Sequence, residues 1–483
     1  MITVQLNRAD FEYDIHSLVK AFFPSEDVSV GVGERETEGE ISFHIVTNYF
    51  TDSIEIMFFV PGEKQKPEQK RVMEVDFSDR KETKNRLKQA YYQMLCEYAK
   101  KSLPWGTLTG IRPTKIPMAF LEEGRKKDFI RNYMKETYFA SDEKIDLSIE
   151  VAERELHLLQ KLDYENGYSL YIGIPFCPST CLYCSFTSYP IGMWEERTDH
   201  YLDALEKEMD YAAEHFCGQH LNTVYIGGGT PTTLNPRQLE RLIEKIKKSF
   251  DLSHCLEFTV EAGRPDSITR EKLQVLREQG ISRISINPQT MKEETLKIIG
   301  RHHTVEDTVE SFYLARELGF DNINMDLIVG LPGETKDDAA STMEAVFKLN
   351  PDNLTVHSLA LKRAARLKMN WETYQNLTFE NTNETIALTA EYAKRMHMTP
   401  YYLYRQKNMA GNFENVGYAK AGKEGIYNIL IMEEKQTIAA LGAGSISKRV
   451  YPDGRIERCE NVKDVAQYIG RIGEMIDRKR KLF

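Results

Sequence analysis

Several features that would place a chain in a particular class are missing from these 483 residues. No run approaches the 18 or so consecutive apolar residues that a membrane-spanning helix needs. The opening stretch, MITVQLNRADFEYDIHS, lacks the basic region and apolar core of a signal peptide. The net charge of −10 comes without the excess of Lys and Arg typical of nucleic-acid-binding proteins. We therefore expect a cytoplasmic protein that neither spans a membrane nor binds nucleic acid.

Cysteine is also scarce, with seven residues in the whole chain, yet three of them are clustered. Cys177, Cys181 and Cys184 have the spacing C-x3-C-x2-C within YIGIPFCPSTCLYCSF, residues 171 to 186. The other four are dispersed and are interpreted as ordinary thiols: Cys96, Cys217, Cys255 and Cys459. Because disulfides are rare in a reducing compartment, the clustered cysteines indicate metal binding or redox chemistry.

A regular alternation of strands and helices surrounds these cysteines. Six apolar, often β-branched runs are each interpreted as a buried strand: YSLYIGI, NTVYIGG, LEFTVEA, SRISINP, NINMDLIVG and NLTVHSLAL. Helical segments lie between them, with Asn235 and Thr304 as predicted N-caps. Alternating strands and helices predict an α/β fold with a parallel sheet, and six units favour a partial (β/α)6 barrel. Active sites of such folds gather at the carboxyl ends of the strands.

The order weakens on both sides of this region, which predicts three parts. Residues 1–160 form an α+β domain of unknown role, with a hairpin in ISFHIVTNYFTDSIEIMFFVPG and a helix in RKETKNRLKQAYYQMLCEYAKKS. Residues 161–365 form the partial barrel. Residues 366–483 form a C-terminal α+β extension that covers the barrel opening, with predicted strands at GIYNILIM (425–432) and QTIAALGAGSIS (436–447).

Three thiols on one loop suit an iron–sulfur cluster with an open coordination position. A 4Fe–4S cluster takes four Cys ligands when fully ligated, so three ligands leave one iron free to accept a reactant. The alternative is zinc or a structural cluster. Zinc usually takes a second pair of ligands, whereas His200 and the pair His302–His303 are remote from any other cysteine in the sequence.

The C-x3-C-x2-C spacing after a first barrel strand resembles the radical S-adenosylmethionine (SAM) enzymes. Together with LTGIRPTK (109–116), the chain resembles the oxygen-independent coproporphyrinogen III dehydrogenase family, in its HemZ-type branch. The resemblance implies a 4Fe–4S cluster held by the three cysteines, with SAM at the open iron. It also implies one-electron cleavage of SAM to a 5′-deoxyadenosyl radical, and a flavodoxin- or ferredoxin-type electron donor.

The resemblance further implies residues that contact the cofactor. Gly228, Gly229 and Thr230 match the segment that binds the amino-acid end of SAM, Glu261 the residue that binds its ribose, and Tyr171 a tyrosine that touches it. From the residues alone, the glycines could form only a tight turn, Glu261 could pair with Arg264, and Tyr171 could be core. A second set matches positions that contact a second SAM: Tyr183, Gln289, Arg301, Asp326 and Ala360. Without the resemblance, Arg301 would be interpreted as a solvated charge and Asp326 as a helix-capping or buried polar residue.

The substrate that the resemblance implies is a tetrapyrrole. A basic run in LALKRAARLKMN, with Lys362, Arg363, Arg366 and Lys368, could bind its carboxylates or could be a solvated helix face. The reaction implied is oxidative decarboxylation of coproporphyrinogen III propionates to vinyl groups, which yields protoporphyrinogen IX.

Two departures from the family pattern keep other functions open. Phe186 stands where the dehydrogenases carry a fourth cysteine, as it does in the family's haem-chaperone relatives. ENVGYA (414–419) keeps only Asn415 and Tyr418 of the chaperones' His-Asn-x-x-Tyr-Trp motif. The alternatives are therefore a haem-binding or haem-trafficking protein, and a radical enzyme that modifies haem itself.

Overall fold

The computed structural model describes residues 1–33, 40–60, 67–110, 112–360, 362, 365–374, 376–377, 379, 381–406 and 413–483. The chain divides into two compact units. The first consists of residues 1–152 with 405–414, and the second of residues 153–404 with 415–483. This differs from the three parts predicted from the sequence, because the C-terminal strands join the sheet of the barrel instead of forming a part of their own.

The first unit is an α+β structure, as the sequence predicts. Its elements are β1 (Ile2–Leu6), α1 (Glu12–Phe22), β2 (Val28–Val32), β3 (Phe43–Tyr49), β4 (Ser53–Phe59), β5 (Gln69–Glu74), α2 (Arg80–Ala99), α3 (Lys115–Glu122), α4 (Lys127–Tyr138) and α5 (Asp142–Leu159), the last of which continues past residue 152. The strand order is β2-β1-β3-β4-β5. The predicted hairpin is β3–β4 and the predicted helix is α2. Alternate residues of β3 and β4 are buried, as expected for a sheet with one face on a core.

The second unit contains one long sheet. Its strands are β6 (Gly167–Ile174), β9 (His220–Gly228), β10 (Glu257–Glu261), β11 (Arg283–Ser285), β12 (Ile323–Val329), β13 (Asn353–Ser358), β14 (Thr399–Tyr404), β15 (Asn415–Ala419), β16 (Thr437–Leu441), β17 (Ile446–Val450) and β18 (Ile456–Glu460), beside a two-residue pair, β7 (Phe176–Cys177) and β8 (Tyr189–Pro190). The six predicted strands are β6 and β9 to β13, which are parallel neighbours in the order 13-12-11-10-9-6. The predicted partial barrel of six parallel strands is therefore confirmed.

Helices lie between these strands and after the last of them. They are α6 (Thr198–His215), α7 (Pro236–Ser249), α8 (Arg270–Glu278), α9 (Glu293–Ile298), α10 (Val305–Glu317), α11 (Lys336–Leu349), α12 (Arg366–Met369), α13 (Trp371–Tyr374), α14 (Asn383–Arg395), α15 (Ile426–Glu433), α16 (Val465–Gly470) and α17 (Ile472–Leu482). Asn235 caps α7 in a reciprocal capping box with Gln238, and Thr304 caps α10 through Asp307. None of the helices in the described ranges is long and apolar enough to cross a membrane.

The C-terminal residues extend the sheet at both edges. β15 pairs antiparallel with β13 at one edge, and β16 pairs parallel with β6 at the other. The strand predicted at 436–447 is present as β16 and the start of β17. The strand predicted at 425–432 is wrong, because these residues form α15, whose Tyr427, Ile429 and Leu430 are buried. A short apolar run of this kind suits a buried helix as well as a strand.

Candidate active site

The three clustered cysteines lie on one loop at the carboxyl end of β6. We call residues 175–190 the cysteine loop. Backbone hydrogen bonds fix it at three places: from the Leu182 N–H to the carbonyl oxygen of Ile299 (2.9 Å), within the loop from Tyr189 to Pro175 (2.8 Å), and from Cys184 to Cys181 (3.2 Å). The loop is therefore tied both to itself and to the connection that follows α9.

The environment of the thiols suits cluster ligation. Cys181 is buried, while Cys177 and Cys184 are partly buried. Burial raises the pKa of Cys177 to about 11 and raises that of Cys184 as well, so cluster assembly would have to release protons from both. Among the described residues, no three His, Cys, Asp or Glu side chains are arranged to hold a single metal ion. In a cluster each thiolate binds a different iron, so its sulfurs need not converge on one point.

Hydrogen-bond donors approach two of the sulfurs. The Thr230 hydroxyl lies 3.5 Å from the Cys177 Sγ, and Nη1 of Arg264 lies 3.5 Å from the Cys181 Sγ. Donors to thiolate sulfur stabilise the negative charge of an iron–sulfur cluster. The donor set and its surroundings therefore fit the 4Fe–4S cluster that the sequence predicts.

The glycine-rich turn after β9 supports the cysteine loop. The N–H groups of Gly229 and Thr230 donate to the carbonyl oxygens of Ile174 and Phe176, both at 2.7 Å. A Cβ at Gly229 would lie 2.5 Å from the Phe176 carbonyl oxygen, so only glycine allows this approach. These two N–H groups are therefore already bonded, and the Thr230 carbonyl oxygen accepts from both the N–H and the hydroxyl of Thr233.

Glu261, at the end of β10, accepts a hydrogen bond from the Tyr225 hydroxyl on β9 at 2.5 Å. Burial raises the pKa of Glu261 to about 7, against the opposing effect of this bond. A Cβ at Gly227 would lie 3.0 Å from the Glu261 carboxylate, so glycine leaves room for it. The alternative pairing of Glu261 with Arg264 is not what the structure shows, since Arg264 pairs with Asp266 at 2.5 Å.

Three tyrosines stack beside this carboxylate. The Tyr171 ring on β6 lies parallel to that of Tyr225, and both are stacked with Tyr427 of α15. The rings of Tyr225 and Tyr427 are 4.5 Å apart. Tyr171 is thus partly buried within a tyrosine stack beside Glu261. This position is compatible both with a packing role and with the predicted contact to the cofactor. Tyr427 is not among the predicted site residues, because its segment is predicted to be a strand.

Four of the five residues predicted to contact a second SAM belong to one network. Nη2 of Arg301 lies 3.3 Å from the Tyr183 hydroxyl, and the Gln289 N–H donates to the Asp326 carbonyl oxygen at 2.9 Å. Asn287 joins the two halves: its carbonyl oxygen accepts from Arg301 and its side-chain oxygen accepts from the Asp326 N–H. Arg301 is buried, so it is not a solvated charge.

Ala360, the fifth residue of this set, lies just beyond β13, where the neighbouring Leu359 N–H donates to the Val329 carbonyl oxygen. The methyl side chain of Ala360 cannot form a hydrogen bond, so it is not part of this network. Asn287 was missed by sequence reasoning, although it precedes Gln289 by two residues at a strand end, the position where functional side chains of this fold class occur.

The Asp326 carboxylate lies in a more polar environment than Glu261. It accepts from the Asn324 side chain at 2.7 Å, and Nε2 of His357 lies 3.8 Å away. Although burial opposes ionisation, His357 and Asn324 hold the pKa of Asp326 below its ordinary value. His357, on β13, was also missed, because an isolated histidine in a strand carries no spacing signal.

Two of the four predicted cations contact the cysteine loop. Nζ of Lys362 lies 5.2 Å from the centre of the Phe186 ring, and Arg366 donates to the Thr180 carbonyl oxygen at 3.2 Å. The Phe186 side chain is 71% exposed, so an aromatic face is open to solvent at this place. Lys368 lies in α12, and Arg363 lies outside the described residues.

The residues of ENVGYA have structural partners. Glu414 accepts from Nε1 of Trp105 at 2.7 Å and pairs with Lys144 at 2.8 Å, within the first unit. The Asn415 side-chain oxygen accepts from the Ser358 N–H at 2.8 Å, where β15 lies beside β13. These contacts account for Glu414 and for the side-chain oxygen of Asn415 without a haem ligand.

Comparison with known proteins relates this site to one superfamily. A family model described as the radical SAM superfamily matches residues 171–346. The chain is 43% identical over 407 residues to the oxygen-independent coproporphyrinogen-III oxidase-like protein HemZ of Bacillus subtilis, covering 83% of this chain and 81% of that protein. It is 35% identical over 320 residues to the haem chaperone HemW of the same organism, covering 63% and 76%. The coproporphyrinogen III oxidase HemN of Escherichia coli, described as a radical SAM enzyme, is a structural neighbour with 26% identity, a TM-score of 0.52 and coverage of 66% and 73%.

Proposed function

From the premise that this chain belongs to the radical SAM family of oxygen-independent coproporphyrinogen III dehydrogenases (oxidases), in its HemZ-type branch, we propose that it acts on a tetrapyrrole. The reaction we propose is the conversion of coproporphyrinogen III propionate side chains to vinyl groups. For each vinyl group formed, the side chain loses one hydrogen atom, one CO2 and one electron. The observation that carries the proposal is the arrangement of the cysteine loop, with cations and an exposed aromatic ring beside the predicted cluster.

In this proposal Cys177, Cys181 and Cys184 hold a 4Fe–4S cluster on the cysteine loop. The cluster and SAM, when bound, supply the one-electron chemistry that abstracts a hydrogen atom from the substrate. Glu261 accepts hydrogen bonds from the ribose hydroxyls of SAM, as acidic residues do in other nucleoside sites. Tyr171, Gly228, Gly229 and Thr230 line the pocket of this SAM. A second SAM is bound by the network around Asn287.

The substrate would be recognised beside the cysteine loop. A tetrapyrrole is flat, apolar over its ring and acidic at its propionates, so an aromatic face flanked by cations is complementary to it. Phe186 presents such a face, and Lys362 and Arg366 present the charges. Burial lowers the pKa of Lys362, and pairing with a carboxylate would favour its charged form.

A second function, haem binding or trafficking without turnover, is favoured by one specific observation. Phe186 replaces the cysteine expected of a decarboxylating enzyme, and a haem chaperone is 35% identical to this chain. Against it stand Glu414 and Ala419, which occupy the positions of the histidine and tryptophan of the chaperone motif.

Product analysis under anaerobic conditions separates the two functions. The protein would be reconstituted with iron and sulfide, reduced, and incubated with SAM and either coproporphyrinogen III or haem. We expect vinyl products together with CO2 and 5′-deoxyadenosine. Stoichiometric haem binding without 5′-deoxyadenosine above background would instead identify the trafficking function.

A Cys181→Ser variant is the control for the cluster. We expect it to lose both the iron–sulfur absorbance and all vinyl formation. Full turnover by this variant would contradict the cluster mechanism altogether, whatever the products of the unmodified chain.

A further inference from the structure

Arg264 contacts the cysteine loop from the connection that follows β10. Its side chain is only 3% exposed. Nη1 donates to the Ser179 carbonyl oxygen at 3.2 Å and lies 3.5 Å from the Cys181 Sγ, while Nη2 donates to the Ser179 hydroxyl at 3.1 Å. The other side of the guanidinium is held by both carboxylate oxygens of Asp266, at 2.9 and 2.5 Å. This geometry fixes one buried cation against a predicted cluster ligand.

A second buried guanidinium acts on the same sulfur. Burial disfavours the charged form of Arg301, but Tyr183 and Cys181 together raise the pKa of Arg301 above its ordinary value. Asp266 offsets part of the positive charge. His303 beside it stays neutral, because burial and then Arg301 lower its pKa to about 4. The net charge on this side of the cysteine loop is therefore positive.

The other two sulfurs have different surroundings. Cys177 has the neutral hydroxyl of Thr230 at 3.5 Å, the same separation that Arg264 has from Cys181. Cys184 has the backbone N–H of Phe186, the side chain of Ser188 and the charge of Lys362. The three predicted ligands are thus unequal, and the fixed positive charge is concentrated at Cys181.

Reduction of a cluster adds one negative charge to a site with little water to screen it. A fixed cation nearby stabilises the reduced form more than the oxidised form, because the Coulomb energy grows with the charge of the cluster. Net charge and hydrogen bonds to the sulfurs are among the factors that set the reduction potential of iron–sulfur clusters. Arg264 supplies both factors at one ligand.

We propose that Arg264 is a positioning residue that raises the reduction potential of the cluster through Cys181, so that a weaker electron donor can reduce it. The inference rests on the cluster that the proposed function requires. Asp266 acts in the opposite direction, because it orients the guanidinium while offsetting its charge.

The test is an EPR-monitored redox titration of anaerobically reconstituted protein. Arg264→Gln removes the charge, and Arg264→Lys keeps it while losing the forked hydrogen bonds. We expect the ratio of reduced to oxidised cluster at a fixed potential to fall at least about tenfold in Arg264→Gln, which is 59 mV for a one-electron couple. Arg264→Lys should stay within about threefold of the unmodified protein, since its charge is retained. If both variants titrate like the unmodified protein, Arg264 only holds the loop and the inference is wrong.

Two further variants keep the inference testable if Arg264→Gln fails to load iron. Asp266→Asn should raise the reduced fraction of the cluster. Thr230→Val, which removes a neutral donor at the same distance from its sulfur, should lower the reduced fraction. This change should be smaller than the change caused by either Arg264→Gln or Asp266→Asn. A lowered reduced fraction in Asp266→Asn would overturn the assignment. An unmodified chain that binds no iron would instead refute the cluster, and with it the proposed function.

Discussion

Two carboxylates on either side of β11 show how neighbours decide the charge of a buried acid. Glu261 ends β10 and accepts from the Tyr225 hydroxyl and the Gly228 N–H. Burial outweighs both donors and, with a smaller contribution from the charge of Asp326, raises the pKa of Glu261 to about 7. Asp326 lies in β12 with an amide donor and a nearby imidazole, and its pKa is lowered although burial opposes this. A carboxylate at the end of β10 therefore has a pKa near neutrality, whereas one in the middle of β12 is kept ionised. Burial alone therefore does not predict whether a carboxylate in this sheet is ionised at neutral pH.

Removing the carboxylates should give the largest difference between the two regions. Glu261→Ala should weaken the binding of SAM about a hundredfold, since hydrogen bonds to a charged acceptor contribute about 1.5–3 kcal/mol. Asp326→Ala should change the affinity for the more tightly bound SAM by no more than about threefold, because Asp326 belongs to the network around Asn287. Equilibrium binding to the reconstituted protein measures both. Equal losses would mean that the two acids serve one site.

The amide variants should shift stability in opposite directions at pH 8. The raised pKa of Glu261 means that the folded state binds more protons than the unfolded state, so stability falls as the pH rises through about 7. Glu261→Gln should therefore stabilise the apo-protein by about 2 kcal/mol at pH 8 and have little effect at pH 5. The lowered pKa of Asp326 contributes stability above its unfolded value, which Asp326→Asn should lose. Urea unfolding at both pH values tests this, and shifts of the same sign would contradict it.

Affinity for SAM should depend on pH through Glu261. An ionised carboxylate accepts from both ribose hydroxyls, so binding should weaken about tenfold from pH 8 to pH 6 as Glu261 gains its proton. The same titration of Glu261→Gln is the control and should be nearly flat. Asp326→Asn should keep the slope but move the midpoint to lower pH, because the charge of Asp326 helps to raise the pKa of Glu261. A slope that persists in Glu261→Gln would assign the titration to another group.

The smallest expected effect comes from the hydroxyl that holds Glu261. Tyr225→Phe removes the hydrogen bond that lowers the pKa of Glu261, so the midpoint of the pH profile should move upward. At pH 7.5 we expect SAM binding to weaken about two- to threefold. His357→Gln, which changes the surroundings of Asp326, should leave this midpoint in place. If His357→Gln moves the midpoint as far as Tyr225→Phe does, the surroundings of Asp326 control the pKa of Glu261 as strongly as its own hydrogen bond does.

Local patterns in the sequence predicted most of the barrel. The six strands are short buried runs, and their connecting helices carry caps such as Asn235 and Thr304 with apolar residues at helical spacing. The run at 425–432 was predicted wrongly because a short, mostly apolar run suits a buried helix and a strand equally. Tertiary packing decided between them.

The partners of the site residues could not be predicted in this way. Tyr225 and Glu261 are 36 positions apart, and Arg264 and Cys181 are 83 apart. No spacing rule connects residues on different strands and loops, because their approach depends on strand order and register. The cysteine spacing was informative for the opposite reason, since all three predicted ligands lie within a single loop.

The segment 405–414 has a consequence for how the protein forms during synthesis. It leaves the second unit between β14 and β15 and belongs to the first unit, where Glu414 meets Trp105 and Lys144. Domains usually fold in order as they emerge from the ribosome. Here Trp105 lacks the carboxylate that accepts from its Nε1, and Lys144 has only Glu143 as an ion-pair partner, until residue 414 has emerged. By that time all six parallel strands of the barrel have already emerged.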